Sequence, residues 1–458
     1  MNGKRQKSTS KGSRQGETLD ESKRATEPPM VLRNVESLAE TEHMMEEILD
    51  PINLNNALQR VLTNQGAPGI DGMKVDDLPA FLDETEATVK QLLLEGKYQP
   101  KPARRVEIAK ASGGMRQLGI PCVLDRYIQQ AVLQIFQKHW DSTFSDSSFG
   151  FRPNRSQHQA IEQAQKYVGS GLKIVVDIDL EKFFDRVNHD ILMSKIAKRV
   201  QDKRVLKLIR AFLNAGIMEN GVKISQEDGV PQGGPLSPIL SNLMLDELDK
   251  ELEKRKLNFV RYADDCNIYV SSQRAGERVL QSISTFLAKK LRLKVNEAKS
   301  AVGKPSRRKF LGFSLTSERS PRRRIAPQAV HKFKEKIREL TCRKRGKSLP
   351  LIIQELAKYM KGWLNYFGYC ETPSVLNDLQ KWVRRKLRCI VWKRWKSSTT
   401  RFKRLRAMGL SVGLAKEGAG NGSRGPWRMS ASPPMQSAFS NAYFRSLGLP
   451  ELVCFRTA

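Results

Sequence analysis

The chain has 458 residues, 39% hydrophobic and 28% charged, which suits two or three domains folded on their own cores. Its 80 Lys and Arg against 48 Asp and Glu give a formal net charge of +32; such an excess repels itself unless a polyanion neutralises it, so nucleic acid is the expected partner and mere solubility does not account for it. Six scattered cysteines with no Cys-x-x-Cys pair argue against a disulfide framework or a zinc site, and no run approaches about 18 apolar residues, so a reducing, cytoplasmic location with no membrane partner is expected.

Residues 1–34 are polar and poor in large apolar side chains, and predict a flexible basic arm. From 35 to 94 apolar residues recur at helical spacing, as in Met45, Ile48 and Leu49, interrupted by the turn-rich Gly66-Ala67-Pro68-Gly69-Ile70-Asp71-Gly72. A strand-like Val106-Glu107-Ile108 leads through a Gly113-Gly114 turn to Leu118-Gly119-Ile120-Pro121, and then to a helix through Ile128, Val132 and Ile135. Strands and helices then follow irregularly, which predicts an α+β fold rather than a doubly wound one.

The acidic chemistry sits on two strand-like segments. In Phe259-Val260-Arg261-Tyr262-Ala263-Asp264-Asp265-Cys266-Asn267-Ile268-Tyr269-Val270 two apolar runs meet at paired aspartates, and a tight hairpin places both carboxylates at its tip. Adjacent anions between apolar strands are costly unless a cation joins them, and magnesium, which takes carboxylates plus substrate phosphates, is the natural occupant. The second segment, Ile174-Val175-Val176-Asp177-Ile178-Asp179-Leu180, puts Asp177 and Asp179 on one strand face and Val176 and Ile178 on the core face. If Asp179 approaches Asp264 and Asp265, three carboxylates bridge two magnesium ions about 4 Å apart. An Asp-Asp pair in a hairpin is by itself most often turn chemistry.

Tyr262-Ala263-Asp264-Asp265 is more specific, and resembles the signature of reverse transcriptases. The blocks around it resemble group II intron-encoded proteins in chain order: Gly66–Gly72, Arg116-Gln117-Leu118-Gly119-Ile120-Pro121, Phe149-Gly150-Phe151-Arg152-Pro153, Gly229-Val230-Pro231-Gln232-Gly233-Gly234-Pro235-Leu236-Ser237-Pro238, Leu293–Ser300 and Phe310-Leu311-Gly312-Phe313. Gln117 departs from the proline usual in that family. The resemblance implies a right-hand polymerase, with fingers and palm over residues 35–320, an all-α thumb and maturase region over 321–410, and an extension over 411–458. It implies that Asp179, Asp264 and Asp265 are catalytic and hold two Mg2+ ions with the backbone carbonyl of Leu180, and that Asp177 is a supporting acid. Lys110 and Arg116, which alone read equally well as solvated loop charges, fall where fingers grip the incoming dNTP. Phe184 falls where a ring excludes a 2′-hydroxyl, although packing of both Phe183 and Phe184 into the palm is the plainer alternative. Gln232 falls in a loop close to base and sugar, Lys299 where a lysine meets the leaving pyrophosphate, and Phe310–Phe313 at a hairpin holding the primer end.

Beyond Arg322 the chain changes character. To Arg406 Lys and Arg outnumber acids by roughly five to one while Ile352, Leu356, Tyr359 and Trp363 keep helical spacing. Met360–Phe367 resembles the core of the maturase region; its aromatic residues read singly as helix packing. The unbalanced charges of Trp382–Arg388 and Trp392–Lys396 predict phosphate contacts, with Arg384, Arg385, Lys386, Lys393 and Arg394 as the RNA-binding candidates. After Gly409 the Gly/Ser/Pro-rich chain predicts irregular structure closed by one short docking helix through Ala438, Tyr443, Phe444 and Leu447. The last histidine is His331 and no cysteine pair follows, which excludes a His-based nuclease on ligand chemistry and implies an endonuclease-lacking bacterial member, class C. The implied function is RNA-directed DNA synthesis together with maturase activity on intron RNA, with target DNA and RNA/DNA heteroduplex as further partners. A splicing-only RNA-binding protein and a domesticated reverse transcriptase are the alternatives.

Overall fold

The computed structural model describes residues 41–109, 115–219, 222–224, 228–342, 346–420 and 425–453; the amino-terminal arm, the Gly113-Gly114 turn and Lys110 lie outside them. The chain opens with helices α1 (Met44–Ile48), α2 (Pro51–Asn64) and α3 (Leu78–Leu94). Asp50 caps α2 by accepting from the amides of Ile52 and Asn53, and Pro51 supplies a pre-set first turn. Strands β1 (Ala103–Ala109) and β2 (Met115–Ile120) pair antiparallel and lead into α4 (Val123–Trp140), which packs along α2.

After α5 (Gln157–Gly169) comes β3 (Ile174–Ile178), then α6 (His189–Ala197), α7 (Lys203–Asn214) and the short strands β4 (Ile217–Glu219) and β5 (Val222–Ile224). β4 returns alongside β1, which gives one sheet the order β2-β1-β4-β5. Helix α8 (Ser237–Lys254) precedes the hairpin of β6 (Asn258–Tyr262) and β7 (Asp265–Val270), then α9 (Gln273–Phe286) and β8 (Ala301–Gly303). These strands form a second, antiparallel sheet of order β6-β7-β3-β8. Gly276 lets α9 lie flat on it, since a Cβ there would stand 2.4 Å from Val302.

The second sheet divides two hydrophobic cores, because successive side chains on a strand point to opposite faces. Val176, Ile178, Cys266 and Ile268 join the core built with the preceding helices. Val175, Val260 and Tyr269 join a second core, shared with α5 and with the chain from Phe310 onward. That second core holds the hairpin β9 (Phe313–Leu315) and β10 (Arg323–Ile325), then α10 (Pro327–Leu340), α11 (Leu349–Phe367), α12 (Pro373–Arg394) and α13 (Ser398–Ala407).

The stretch after Gly409 departs from expectation. It folds into α14 (Val412–Gly420), α15 (Gly425–Met429), α16 (Pro433–Ala438) and α17 (Asn441–Ser446) rather than an irregular tail with one helix. Ala415, Met435, Phe439 and Phe444 are each buried in the second core, and that burial outweighs the weak local propensity. Among the described residues no helix is long and apolar enough to cross a membrane.

Candidate active site

The paired aspartates stand where the β6–β7 hairpin turns. Tyr262 faces Asp265 across the ladder, and Ala263 between them takes a φ of 57°, a left-handed conformation that a residue with a Cβ adopts at a cost. A buried guanidinium supports the turn. Arg261 donates to both carboxylate oxygens of Asp249 on α8 at 2.7 and 2.5 Å, to Asn242 at 3.0 Å, to the Ser148 hydroxyl at 2.8 Å, and to the Ala263 carbonyl at 3.0 Å. The Phe149–Pro153 block lies directly behind: a Cβ on Gly150 would stand 2.2 Å from the Ala263 nitrogen, which is why only glycine fits.

β3 brings in the remaining acids. Its register sets Asp177 opposite Asn267 and Ile178 opposite Cys266, so Asp179, one residue on, comes opposite Asp265. By strand alternation Asp177, Asp179 and Asp265 share the face toward the second core. Solvent reaches the outer edge of Asp265, yet the protein crowded around it, together with the charges of Asp264, Asp177 and Asp179, pushes its carboxyl up to about 7; Lys309 draws it partly back. Asp265 thus feels the charges of the other three acids. Among the described residues, however, no three carboxylate, imidazole or thiol groups stand as a ready metal cage. Hard oxygen donors that repel one another still fit a divalent cation, whose charge removes the repulsion.

Asp177 and Asp179 have different partners. Asp177 receives two hydrogen bonds from Arg308, at 3.1 and 2.7 Å, and burial pushes its carboxyl up despite that guanidinium. Asp179 is held through its backbone: its amide donates to the Ser300 hydroxyl at 2.9 Å and its carbonyl accepts from Asn296 at 2.8 Å. Its carboxylate is left to Lys299, whose Nζ lies 3.4 Å away. Leu180 is buried and bridges to Val295.

The other candidates gather on adjoining segments. Phe183 is fully buried while Phe184, its ring 5.2 Å away, is half-buried, so the two rings do not pack alike. The Phe184 carbonyl accepts from Val230 at 2.6 Å, which ties it to the loop carrying Gln232. That loop docks on β2: Gly119 donates to the Gln232 carbonyl at 2.9 Å, and Gly233, at φ 134°, passes 2.5 Å from Gly119 by the measure of an added Cβ. Arg116 lies in β2, but its side chain, like all of Lys110, falls outside the described residues.

The basic candidates on α12 separate into two sets. Arg384 is nearly buried and meets Glu451 at 3.3 Å, and Arg385 donates to the Trp427 carbonyl at 3.1 Å with its guanidinium 4.3 Å above the Trp427 ring. Both therefore hold the carboxyl-terminal extension against α12. Lys386, Lys393 and Arg394 instead line an open cleft of about 680 Å³ with Arg338 and Lys347. Trp363, stacked on Phe367 and packed on Phe333, is a helix-packing residue. Arg261 and Arg308 went unnoticed in the sequence; an arginine among the apolar residues of a strand was the available signal for the first, and the second was hidden in a run of basic residues.

Comparison with known proteins bears on this arrangement. The family described as "Reverse transcriptase (RNA-dependent DNA polymerase)" matches residues 108–315, and "Group II intron, maturase-specific domain" matches residues 330–409. Protein YkfC of Escherichia coli is 38% identical over 223 residues, 47% of this chain and 58% of that protein. The group II intron-encoded protein LtrA of Lactococcus lactis is 39% identical over 206 residues, 45% of this chain and 34% of LtrA. The putative COX1/OXI3 intron 1 protein of Saccharomyces cerevisiae is 26% identical over 414 residues, 73% of this chain and 47% of that protein. The chain thus spans between about a third and three fifths of the length of these relatives. With a match to the reverse transcriptase family followed in one chain by a match to the group II intron maturase-specific domain, and with LtrA among its relatives, this chain belongs to the group II intron-encoded reverse transcriptases with a maturase domain.

Proposed function

We propose that the chain is an RNA-directed DNA polymerase of a mobile group II intron that also binds the intron RNA and promotes its splicing and retrohoming. The observation that carries the reading is the β3–β7 register, which brings Asp179 opposite Asp265 beside Asp264 at the hairpin tip, where the charges of Asp179 and Asp264 act on Asp265. Asp179, Asp264, Asp265 and the Leu180 carbonyl would hold two Mg2+ ions, which supply activation of a primer 3′-hydroxyl and neutralise the departing pyrophosphate. The chain's own residues position the reactants. Lys110 and Arg116 grip the triphosphate of the dNTP, a task suited to a point charge and a planar fork. Phe184 faces the sugar and excludes a 2′-hydroxyl, and Gln232 lines the base side. Lys299, already paired with Asp179, stands by to receive the negative charge that develops on the pyrophosphate. Asp177, engaged by Arg308, supports the floor and is no metal ligand.

In this reading residues 35–320 are fingers and palm, 321–410 thumb and maturase region, and 411–458 an extension packed against α12. Intron RNA binds the basic cleft of Lys386, Lys393 and Arg394, and the RNA/DNA heteroduplex and target DNA run between that region and the palm. Single-nucleotide addition to a DNA primer on an RNA template, with dNTP or rNTP and with or without Mg2+, tests the reading. Mg2+-dependent addition of dNTP alone is expected. RNA binding without any addition would leave a splicing protein, and equal use of rNTP would make the chain an RNA polymerase.

A further inference from the structure

The Leu311–Gly312 turn is where the helical region meets the carboxylate floor. Phe310 and Phe313 exchange both backbone hydrogen bonds at 2.9 Å, and the two residues between them have φ of 49° and 82°. Positive φ at both central positions makes the tightest kind of hairpin turn, and leucine is a poor occupant of it. The exchange between Phe310 and Phe313 does not use the Leu311 carbonyl. Tyr366, near the end of α11, donates its hydroxyl to that carbonyl at 2.6 Å.

Tyr366 is itself held from several sides. Its ring stacks on His158 of α5 at 5.1 Å and packs edge-on against Phe313 at 5.7 Å, and His158 donates from Nε2 to the Tyr366 carbonyl at 2.9 Å. The neighbouring Phe367 presses on the turn so closely that a Cβ on Gly312 would meet its ring at 3.1 Å. On the upstream side of the turn, Arg308 pairs with Asp177 and also donates to the Lys299 carbonyl at 2.7 Å, and Lys299 reaches Asp179. One continuous set of contacts therefore runs from a helix of the maturase region to the acids.

We infer that Tyr366 is a positioning residue for the end of the strand being extended: its hydroxyl locks the Leu311–Gly312 turn, so that the helical region and the floor of the site hold the 3′ end as one rigid piece. The inference rests on the polymerase reading, because a strand end must lie beside the acids for the turn to touch it. A duplex gripped by the basic helices and free to move relative to the floor would present its terminus at varying distance from Asp264 and Asp265. The hydroxyl bond removes that freedom at a turn bordering both. The ring's packing is separate from this role and survives in phenylalanine.

The test uses the full chain and a DNA primer whose 3′-terminal base is 2-aminopurine, annealed to an RNA template. Wild type should change the terminal base's fluorescence on binding. Tyr366→Phe should bind the duplex as well, lose most of that change, and make products about 2- to 10-fold shorter per binding event in the presence of a trap, with unchanged burst amplitude. A variant indistinguishable from wild type in fluorescence and product length overturns the inference. So does a fall in burst amplitude with unchanged product length, which marks a purely structural tyrosine, and so does a wild-type chain whose bound primer end gives no signal. Wild type that orders the terminal base yet adds no nucleotide sinks the polymerase reading and the inference with it, whereas the other outcomes, seen beside normal nucleotide addition, overturn the role of Tyr366 alone.

Discussion

Arg261 donates from Nη1 to the carbonyl of Ala263 at 3.0 Å, two residues on in the turn that ends its strand, and so binds the backbone immediately before Asp264 to a fully buried ion pair with Asp249. Removing one partner of such a pair strands the other charge, at a cost of about 3–5 kcal/mol, whereas replacing both with apolar residues of similar volume is often neutral. Arg261→Met or Asp249→Asn alone should therefore lower stability steeply in urea denaturation. The double variant Arg261→Met/Asp249→Leu should regain much of it and still extend primers slowly, since nothing then holds the Ala263 carbonyl. Recovered stability with full activity would show that the turn needs no guanidinium.

Asp264→Ala separates chemistry from RNA docking. In the proposed mechanism the carboxylate serves a metal, which contributes several kcal/mol of transition-state stabilisation, so nucleotide addition should fall about a thousandfold or more. Intron binding and splicing should stay near wild type, because the basic cleft on α12 lies in the second core's helices and not at the hairpin tip. Equal loss of both activities would contradict that separation.

Phe184 is the half-buried member of its aromatic pair, and its backbone is fixed by Val230. Phe184→Val keeps an apolar contact with Phe183 and removes the ring proposed to face the sugar. The expected outcome is rNTP incorporation rising by about 10- to 100-fold relative to dNTP, the scale of a relieved steric clash in a pocket, with dNTP use changed far less. Unchanged discrimination in single-nucleotide assays would return Phe184 to the role of palm packing.

Much of the site was legible in the chain because its signals are local. The apolar runs around Asp264 and Asp265 form the hairpin, the alternation of Val175 to Asp179 sets the acids on one face, and Pro231-Gln232-Gly233 makes a close loop as its glycine requires. What was not legible depends on residues distant in sequence. Arg384 and Arg385 look like free charges until Glu451 and Trp427, 67 and 42 residues downstream, fold back on them. The same long-range packing turns the Gly/Ser/Pro-rich stretch after Gly409 into helices. Arg261 belongs with these cases, since its partner Asp249 is one of several acids on α8 and only the fold selects it.

Asp125 provides a pH signature of the first core. It is buried in the first turn of α4, where burial pushes its carboxyl up to about 6 from an ordinary 3.8, although the Tyr98 hydroxyl, 2.8 Å away, and the Lys101 amide, 3.2 Å away, donate to it. Between those two values the folded chain keeps a proton that the unfolded chain has lost, so folding takes up a proton. Stability from this group is complete below pH 4 and disappears as pH rises through 6, on the order of 3 kcal/mol in all. Asp125→Asn cannot titrate. The stability of the variant relative to wild type should therefore rise across pH 4 to 6 and level off above, as read from urea midpoints. A difference that stays constant over that window would mean that Asp125 is ionised in the folded state at its ordinary pH.

The basic face of α12 makes opposite predictions for its two sets of residues. Lys393 and Arg394 are exposed and, with Lys386, line the open cleft, so a phosphate backbone lying there would release counterions when it binds. Replacing Lys386, Lys393 and Arg394 with alanine should weaken intron RNA binding and reduce the slope of log affinity against log salt by about 0.7 to 0.9 for each phosphate that is no longer neutralised. Arg384→Ala removes a side chain that is 11% exposed and partnered by Glu451, so it should loosen the carboxyl-terminal extension and lower the melting temperature without changing that slope. Salt titrations of RNA binding on both variants, beside thermal melts, distinguish the two outcomes. A slope that falls for Arg384→Ala and holds for the triple variant would move the RNA from the cleft to the face that the extension now covers.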